Sequence, residues 1–420
     1  MAEKGQQISA IDGMLACREC DLLHRIEHVP VGGKALCSRC GTLLRNNKPD
    51  SLNRVLALNL AAFICFAVTN SFPFLSMDID GRVEKTVFIS GALSLYHLGM
   101  GEVGLLVFLT GVLFPLISIT GMLYILLPMK LGLRPPGING VYRTLRVLTP
   151  WCMLDVLLLG ILIAVIKLLD IADIIPGISL YAFVALVLLS AAANASFDIG
   201  ILWPVTESGA ARPDKEIIAT EQDWISCHTC AMLVSAPANN ANACCPRCGS
   251  RLHRRKTNSV TRTWVLILTA CLLLIPANIY PVMIVVRFGR VESNTILGGV
   301  VRLIETGMWP LAMIVFIASI IIPFLKLLIL GFLQLSVHRK SAWRLHDRTV
   351  LYRFTELVGS WSMVDIFIIA LLSSLVKMDA LSTVRPGVGV IYFAGAVITT
   401  IFAANSFDPR LIWDNEGKRD

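Results

Sequence analysis

Eight cysteines in two matched sets have the spacing of metal sites. Cys17, Cys20, Cys37 and Cys40 form C-x2-C, sixteen residues, C-x2-C, and Cys227, Cys230, Cys245 and Cys248 repeat the pattern with a fourteen-residue spacer. Each C-x2-C turn offers two thiolates to one tetrahedral ion, and either spacer is long enough for a hairpin that brings two turns together. Four sulfurs leave no open coordination position, so the predicted sites are structural, of the zinc-ribbon kind. Gly41 and Gly249 follow the last cysteines, where a tight knuckle favours a residue tolerant of positive φ. Rubredoxin-like iron or a redox-active pair shares this spacing and stays open as an alternative. Cys244 falls outside the aligned set and reads as a bystander. Cys65, Cys152 and Cys271 are solitary in apolar stretches and read as small core residues.

A second set of chemically able residues lies inside apolar stretches, where charge is costly and is a candidate for function. Asp155 and Asp365 occupy equivalent positions, and Lys326 lies in another apolar stretch. At about 1.5 Å per helical residue, Asp365 and Lys326 lie about 10 and 13 Å from the same membrane face, depths that permit a buried pair. Ser319 is seven residues before Lys326 on the same face, Ser362 is three before Asp365, and Thr400 reaches a similar depth, which completes a predicted polar network. One reading is that these groups only bond helices together. The other is a proton- or ion-linked switch, in which protonation of Asp365 breaks its pair with Lys326. No Walker A pattern occurs, so a membrane potential is the more natural energy source than ATP. Pro115 and Pro323 are predicted to kink their helices, and Lys167 and Lys377 to snorkel toward the interface.

These residues need a membrane scaffold, and the composition supplies one. The chain has 420 residues, 55% hydrophobic and only 16% charged, with a mean hydropathy of +0.70; soluble proteins carry about 25% charged residues. Eight stretches are long enough to cross a bilayer, near 54–75, 103–128, 151–170, 178–197, 262–284, 309–335, 358–378 and 387–407. No cleavable leader is predicted, because the first 50 residues are polar and hold a cysteine cluster. Segments 129–150 and 338–353 are rich in Lys and Arg, which predicts that they face the cytoplasm and that both termini do too. The net charge of +8 therefore belongs to membrane orientation, and no nucleic-acid partner is expected. A cytosolic setting also disfavours disulfides. Segments 88–99 and 296–307 read as interfacial helices or a docking surface on the opposite face.

The chain repeats itself. Besides the cysteine modules, "NSFP" at 70–73 recurs as "NIYP" at 278–281, "WCMLDV" at 151–156 as "WSMVDI" at 361–366, and "ASFDIGILW" at 195–203 as "NSFDPRLIW" at 405–413. "GRVE" occurs at 81–84 and 289–292, and the offset stays at 208 to 210 throughout. The predicted fold is an all-α integral membrane protein, a tandem duplication of a four-helix bundle, each copy preceded by a small cytoplasmic β zinc ribbon. Expected boundaries are ribbon 1 at 1–50, bundle 1 at 51–205, linker and ribbon 2 at 206–257, bundle 2 at 258–414 and a tail at 415–420. Four spans per unit is even, so the copies share one orientation about an axis along the membrane normal. They are not equivalent, since Ser118 stands where Lys326 aligns.

Paired C-x2-C modules, each before four spans and a "WxMxD…K" helix, resemble the paraquat-inducible protein A family. "CDLL" at 20–23, "LLIPANIYP" at 273–281 and "IVFIASIIIPFLKLLIL" at 314–330 extend the likeness over nearly the whole chain. The resemblance implies a subunit of the bacterial inner membrane that passes phospholipid to a periplasmic MCE-domain tunnel protein. It also implies two structural Zn2+ ions and a functional region around Lys326, Asp365, Ser319, Ser362 and Thr400. No enzyme is expected: no nucleophile–base arrangement or metal-hydrolase motif is present. Two alternatives remain from the residues alone, a redox-responsive membrane sensor and a proton-coupled small-solute transporter.

Overall fold

A computed structural model of the chain describes residues 14–26, 29–79, 82–169, 173–198, 200, 202–203, 224–235, 243–287, 290–359, 361–375, 377–378 and 382–414. Among the described residues, eight helices are long and apolar enough to cross a membrane: Ser51–Ser71, Gly101–Lys130, Ile138–Ile166, Ile178–Ser196, Ser259–Ile279, Trp309–His338, Leu345–Leu372 and Gly389–Ser406. They are the first to eighth spans below. Leu268, Leu272, Ile275 and Ile279 on the fifth span stand exposed, as a lipid-facing stripe requires. The third and seventh spans begin well before the predicted limits. Segments read as basic loops fold as helices Ile138–Leu148 and Leu345–Val358, followed by 3-10 turns at Thr149–Trp151 and Trp361–Met363. Their apolar faces explain this, since Tyr142 and Leu145 are buried while Arg143 is exposed.

The first span pairs with the fourth and the fifth with the eighth, and matching bonds tie the pairs at the ribbon end. Ser51 Oγ donates to Ser196 O at 2.6 Å, and Ser259 Oγ to Ser406 O at 2.7 Å. The two bundles meet through the third and seventh spans, whose Val156, Leu157, Ile161, Val364, Phe367 and Ile368 share one core. Gly160 allows the approach: a Cβ there would lie 3.1 Å from Phe367 Cβ. Helix Ser90–His97 of the first copy packs on the seventh span of the second, where a Cβ on Gly91 would meet Ala370 O at 3.4 Å. It and its counterpart Ile296–Glu305 fold back onto the second and sixth spans through Gly99 and Gly307, both at positive φ. Each is half-buried against the bundle.

Strands at the far end add to the helical expectation. Leu75–Ile79 and Arg82–Thr86 form a hairpin joined by Asp173–Pro176; Met283–Arg287 and Arg290–Asn294 form another, joined by Ser382–Pro386 and Lys377–Met378. The "RVE" of the repeated motif, 82–84 and 290–292, therefore opens the second strand of each hairpin. The sheets fix where the fourth and eighth spans start: a Cβ on Gly177 would lie 2.1 Å from Pro73 O, and one on Gly387 2.1 Å from Pro281 O. Gly387→Ala is expected to destabilise the second bundle by about 1–3 kcal/mol. A lower thermal midpoint of the detergent-purified protein, with unchanged metal content, is the readout.

Pro115 and Pro323 each sit just after a π-helical turn, Leu109–Leu113 and Ile317–Ile321. Proline lacks the N–H that would close an ordinary turn, and a widened turn accommodates the lost bond. Ser319 lies in the second of these. The side chains of Lys167 and Lys377 and the 415–420 tail lie outside the described residues.

Candidate functional site

Each ribbon is two short hairpin-like arms that bring four sulfurs together. Met14–Ala16 pairs with Leu23–Arg25 and Lys34–Leu36 with Leu43–Asn46 in the first; Trp224–Ser226 pairs with Leu233–Ser235 in the second. Cys17, Cys20, Cys37 and Cys40 are all buried, as are Cys227, Cys230, Cys245 and Cys248, and within each set the ligand atoms lie within 4.8 Å of one another. Sulfur pairs approach to 3.4 Å in the first set and to 3.4 and 3.5 Å in the second. A tetrahedral ion with bonds of about 2.3 Å sets its sulfurs about 3.8 Å apart, so both cages fit one ion. Gly41 and Gly249 have φ of 71° and 68°, and Asp21 and Ala231 take the same left-handed conformation after the first knuckles. Cys244 is exposed and outside the cage.

In each set one thiol is favoured as thiolate while its neighbours are pushed up by sharing its proton and by burial. Hydrogen bonding with Cys20 draws the Cys17 thiol down to about 4, and bonding with Cys230 likewise pulls the Cys227 thiol below its ordinary range. Three further polar contacts escaped the sequence reading: His24 Nε2 lies 3.2 Å from Cys37 Sγ, Thr42 Oγ1 lies 2.9 Å from Cys40 Sγ, and Cys248 Sγ donates to Ser250 Oγ at 3.2 Å. The matched "CGT" and "CGS" at 40–42 and 248–250 were the available signal for the last two.

The ribbons dock on bundles crosswise. Ribbon 1 rests on the second copy: Arg353 Nε meets Glu19 at 2.6 Å and Arg353 Nη2 donates to Cys40 O at 2.8 Å. Arg255 bridges Asp21 at 2.5 Å and Asp414 at 2.6 Å, and Arg39 lies over the Trp413 ring at 4.4 Å. Ribbon 2 reaches the first copy, where Arg146 donates to Thr229 O at 2.7 Å and Trp203 packs with Val234 and Leu252. Arg146 and Arg353 were read as orientation signals; here they also anchor the ribbons. The buried Asp408 accepts from Arg410 Nε and Nη2 at 3.1 Å and from Lys256 N at 3.0 Å. Burial would raise its carboxyl, but these donors hold it below the ordinary range. Such a group stabilises above the carboxylate's unfolded pKa of about 3.9, and loses that effect as pH falls through its lowered value. Asp408→Asn should cost about 1–3 kcal/mol at pH 7, because it removes the charged partner at 3.1 Å from the buried Arg410 and leaves it Asp21 at 3.7 Å. Thermal unfolding against pH should show this penalty shrinking only at the acid end.

Inside the second bundle, Lys326 and Ser362 share one carbonyl and Thr400 joins them through the lysine. Lys326 is 2% exposed; its Nζ donates to Gly359 O at 3.2 Å and bonds Thr400 Oγ1 at 3.1 Å. Ser362 Oγ donates to the same carbonyl at 3.1 Å, and Thr400 Oγ1 donates to Val397 O at 2.7 Å. The turn holding Ser319 packs on the 361–363 turn. The Ser319 hydroxyl is buried with no hydrogen-bond partner among the described residues. One expectation is corrected: among the described residues, no salt bridge joins Lys326 to Asp365. Gly359 caps helix Leu345–Val358, and a helix C-terminus, with its unsatisfied carbonyls, is a natural seat for a cation. Asp365 instead lines a narrow apolar crevice of about 80 Å³ with Ile163, Leu311, Val315 and Ile369, running toward Met283 and Asn294 at the far end. Asp155 lines a separate cavity in the first bundle.

The family model for paraquat-inducible protein A matches residues 52–207 and again 260–416. The chain belongs to that family. The two matches fall on the two halves of the duplication. Lipophilic envelope-spanning tunnel protein A of Escherichia coli K12 is 32% identical over 95% of this chain and 90% of its own length. Intermembrane transport protein PqiA of the same organism is 32% identical over 96% of each chain. A probable intermembrane transport protein of Haemophilus influenzae is 26% identical over 95% of each. No solved structure matches the chain significantly.

Proposed function

We propose that this chain is the inner-membrane subunit of an intermembrane lipid transport system, passing phospholipid between the inner membrane and a periplasmic MCE-domain tunnel protein. The observation that carries the reading is the near full-length similarity to relatives named for intermembrane transport and an envelope-spanning tunnel. The fold is consistent with it. Eight spans give access to the bilayer as a lipid pool, while the far-end hairpins are too short to bridge to a second membrane. A partner must span that gap. Both termini and both ribbons would be cytoplasmic, with Zn2+ in the two cysteine cages bracing that face of the bundles. Asp365, at the end of its crevice, would take up a proton from the periplasmic side. Lys326, Thr400, Ser362 and Ser319 would then respond through the 361–363 turn, which joins both groups. Affinity purification from native membranes, followed by mass spectrometry of proteins and lipids, tests this. An MCE-domain protein and phospholipid should co-purify; recovery of neither would overturn the proposal.

A further inference from the structure

The duplication allows each polar group of one bundle to be compared with its counterpart in the other. In the second bundle a tethered ammonium, Lys326 Nζ, sits on Thr400 Oγ1 and Gly359 O. In the first bundle the lysine is replaced by Ser118 and Thr400 by Ser190, while Asp155 stands at the position of Asp365. The space is not refilled by larger apolar side chains. A cavity of about 230 Å³ remains there, lined by Asn59, Ser118, Cys152, Asp155, Ser190 and Asn194. Ser190 Oγ, the counterpart of the hydroxyl that holds the lysine, is buried with no partner among the described residues. Asn59 donates its amide nitrogen to Val55 O at 2.8 Å, a bond that does not use its carbonyl oxygen.

The substitutions change together in one sense. Asn59 and Asn194 have apolar counterparts, Ile267 and Ala404, which pack with Leu330 in the second bundle. So the copy without a built-in cation carries two carboxamides around the gap. A carboxylate, carboxamide oxygens and hydroxyls are hard oxygen donors. Asp155 stands exposed on a membrane span, and a lone carboxylate facing lipid there is expensive unless one positive charge balances it. We infer that the first bundle takes an exchangeable monovalent cation in this cavity, in place of the lysine ammonium of the second bundle. The ion is either a free alkali cation or the primary ammonium of an aminophospholipid. Asn194 lies two residues from the ribbon end of the fourth span, so the site is reachable from that membrane surface. The inference rests on the repeat geometry and does not require the transport reading.

The test uses the full chain in nanodiscs of phosphatidylcholine and phosphatidylglycerol, in choline chloride at fixed ionic strength. One arm replaces choline with sodium or potassium; the other replaces phosphatidylcholine with phosphatidylethanolamine without alkali ions. The thermal midpoint should rise saturably in at least one arm, and which arm responds identifies the source of the cation. Asp155→Asn should raise the half-saturating concentration at least about tenfold, the equivalent of ~1.4 kcal/mol. Ser118→Lys, which supplies its own ammonium, should make the midpoint insensitive to either ligand. Ser190→Ala, the mildest change, should weaken the response without loss of fold. No response in either arm, or equal responses in wild type and all three variants, overturns the inference.

Discussion

Cys40→Ser should reduce bound metal from two equivalents to one and unfold ribbon 1 while leaving ribbon 2 loaded. The ribbon's strands are three or four residues long, and its buried residues are mainly the cysteines themselves, so apolar burial alone does not hold it. Metal binding contributes about 10–16 kcal/mol to such modules. The damage should cross to the second copy. Ribbon 1 shares a core with Leu333, Tyr352, Phe407 and Trp413, and loss of Cys40 O and Thr42 removes partners of Arg353. Elemental analysis of the purified variant and hydrogen exchange over 345–358 and 405–414 check this. Faster exchange there than in wild type, with the first bundle unaffected, is the expected pattern. The mirror variant, Cys248→Ser, should instead loosen helix Ile138–Leu148, which Arg146 and Tyr142 tie to ribbon 2 through Thr229 and Trp203. Zinc stoichiometry near two with no reducible disulfide signal would also separate structural sites from a redox sensor.

How much of this was legible in the sequence follows from where each constraint is written. Metal ligation fixes residue type and short-range spacing together, so the eight cysteines that gather in two cages could be named from a string of letters. Membrane crossing fixes hydropathy over about 20 residues, so the eight spans were visible as well. The far-end hairpins were not, because strands such as Met283–Arg287 adjoin an apolar helix and merge with it in any hydropathy average. Helices Ile138–Leu148 and Leu345–Val358 were hidden by their arginines, which mark membrane orientation whether the backbone is loop or helix. The crossed docking of ribbons is a long-range packing choice with no local signature. The partner of Lys326 was misassigned for a simpler reason: the acceptor is the main-chain carbonyl of Gly359, and backbone groups carry no letter.

That bond arrangement yields the sharpest test of the second bundle. Lys326→Met should leave the fold as stable as wild type, or more so, while the proposed lipid transport falls at least about tenfold. The usual expectation for a buried hydrogen-bonded lysine is the reverse, since truncation strands its partners. Here neither partner is stranded. Gly359 O keeps the Ser362 hydroxyl at 3.1 Å, and Thr400 Oγ1 keeps its bond to Val397 O at 2.7 Å. Methionine has a similar unbranched length, fills the space, and removes the cost of burying an ammonium that forms no salt bridge among the described residues. If the network served only to hold helices together, an innocuous replacement for folding would be innocuous for transport too. Thermal unfolding and a phospholipid-transfer assay on the same preparation, reconstituted with the proposed tunnel partner, separate the two roles. Unchanged transport in Lys326→Met would make the lysine structural baggage, whereas lost transport with a preserved midpoint requires a charge that is kept at the expense of stability because the working cycle uses it.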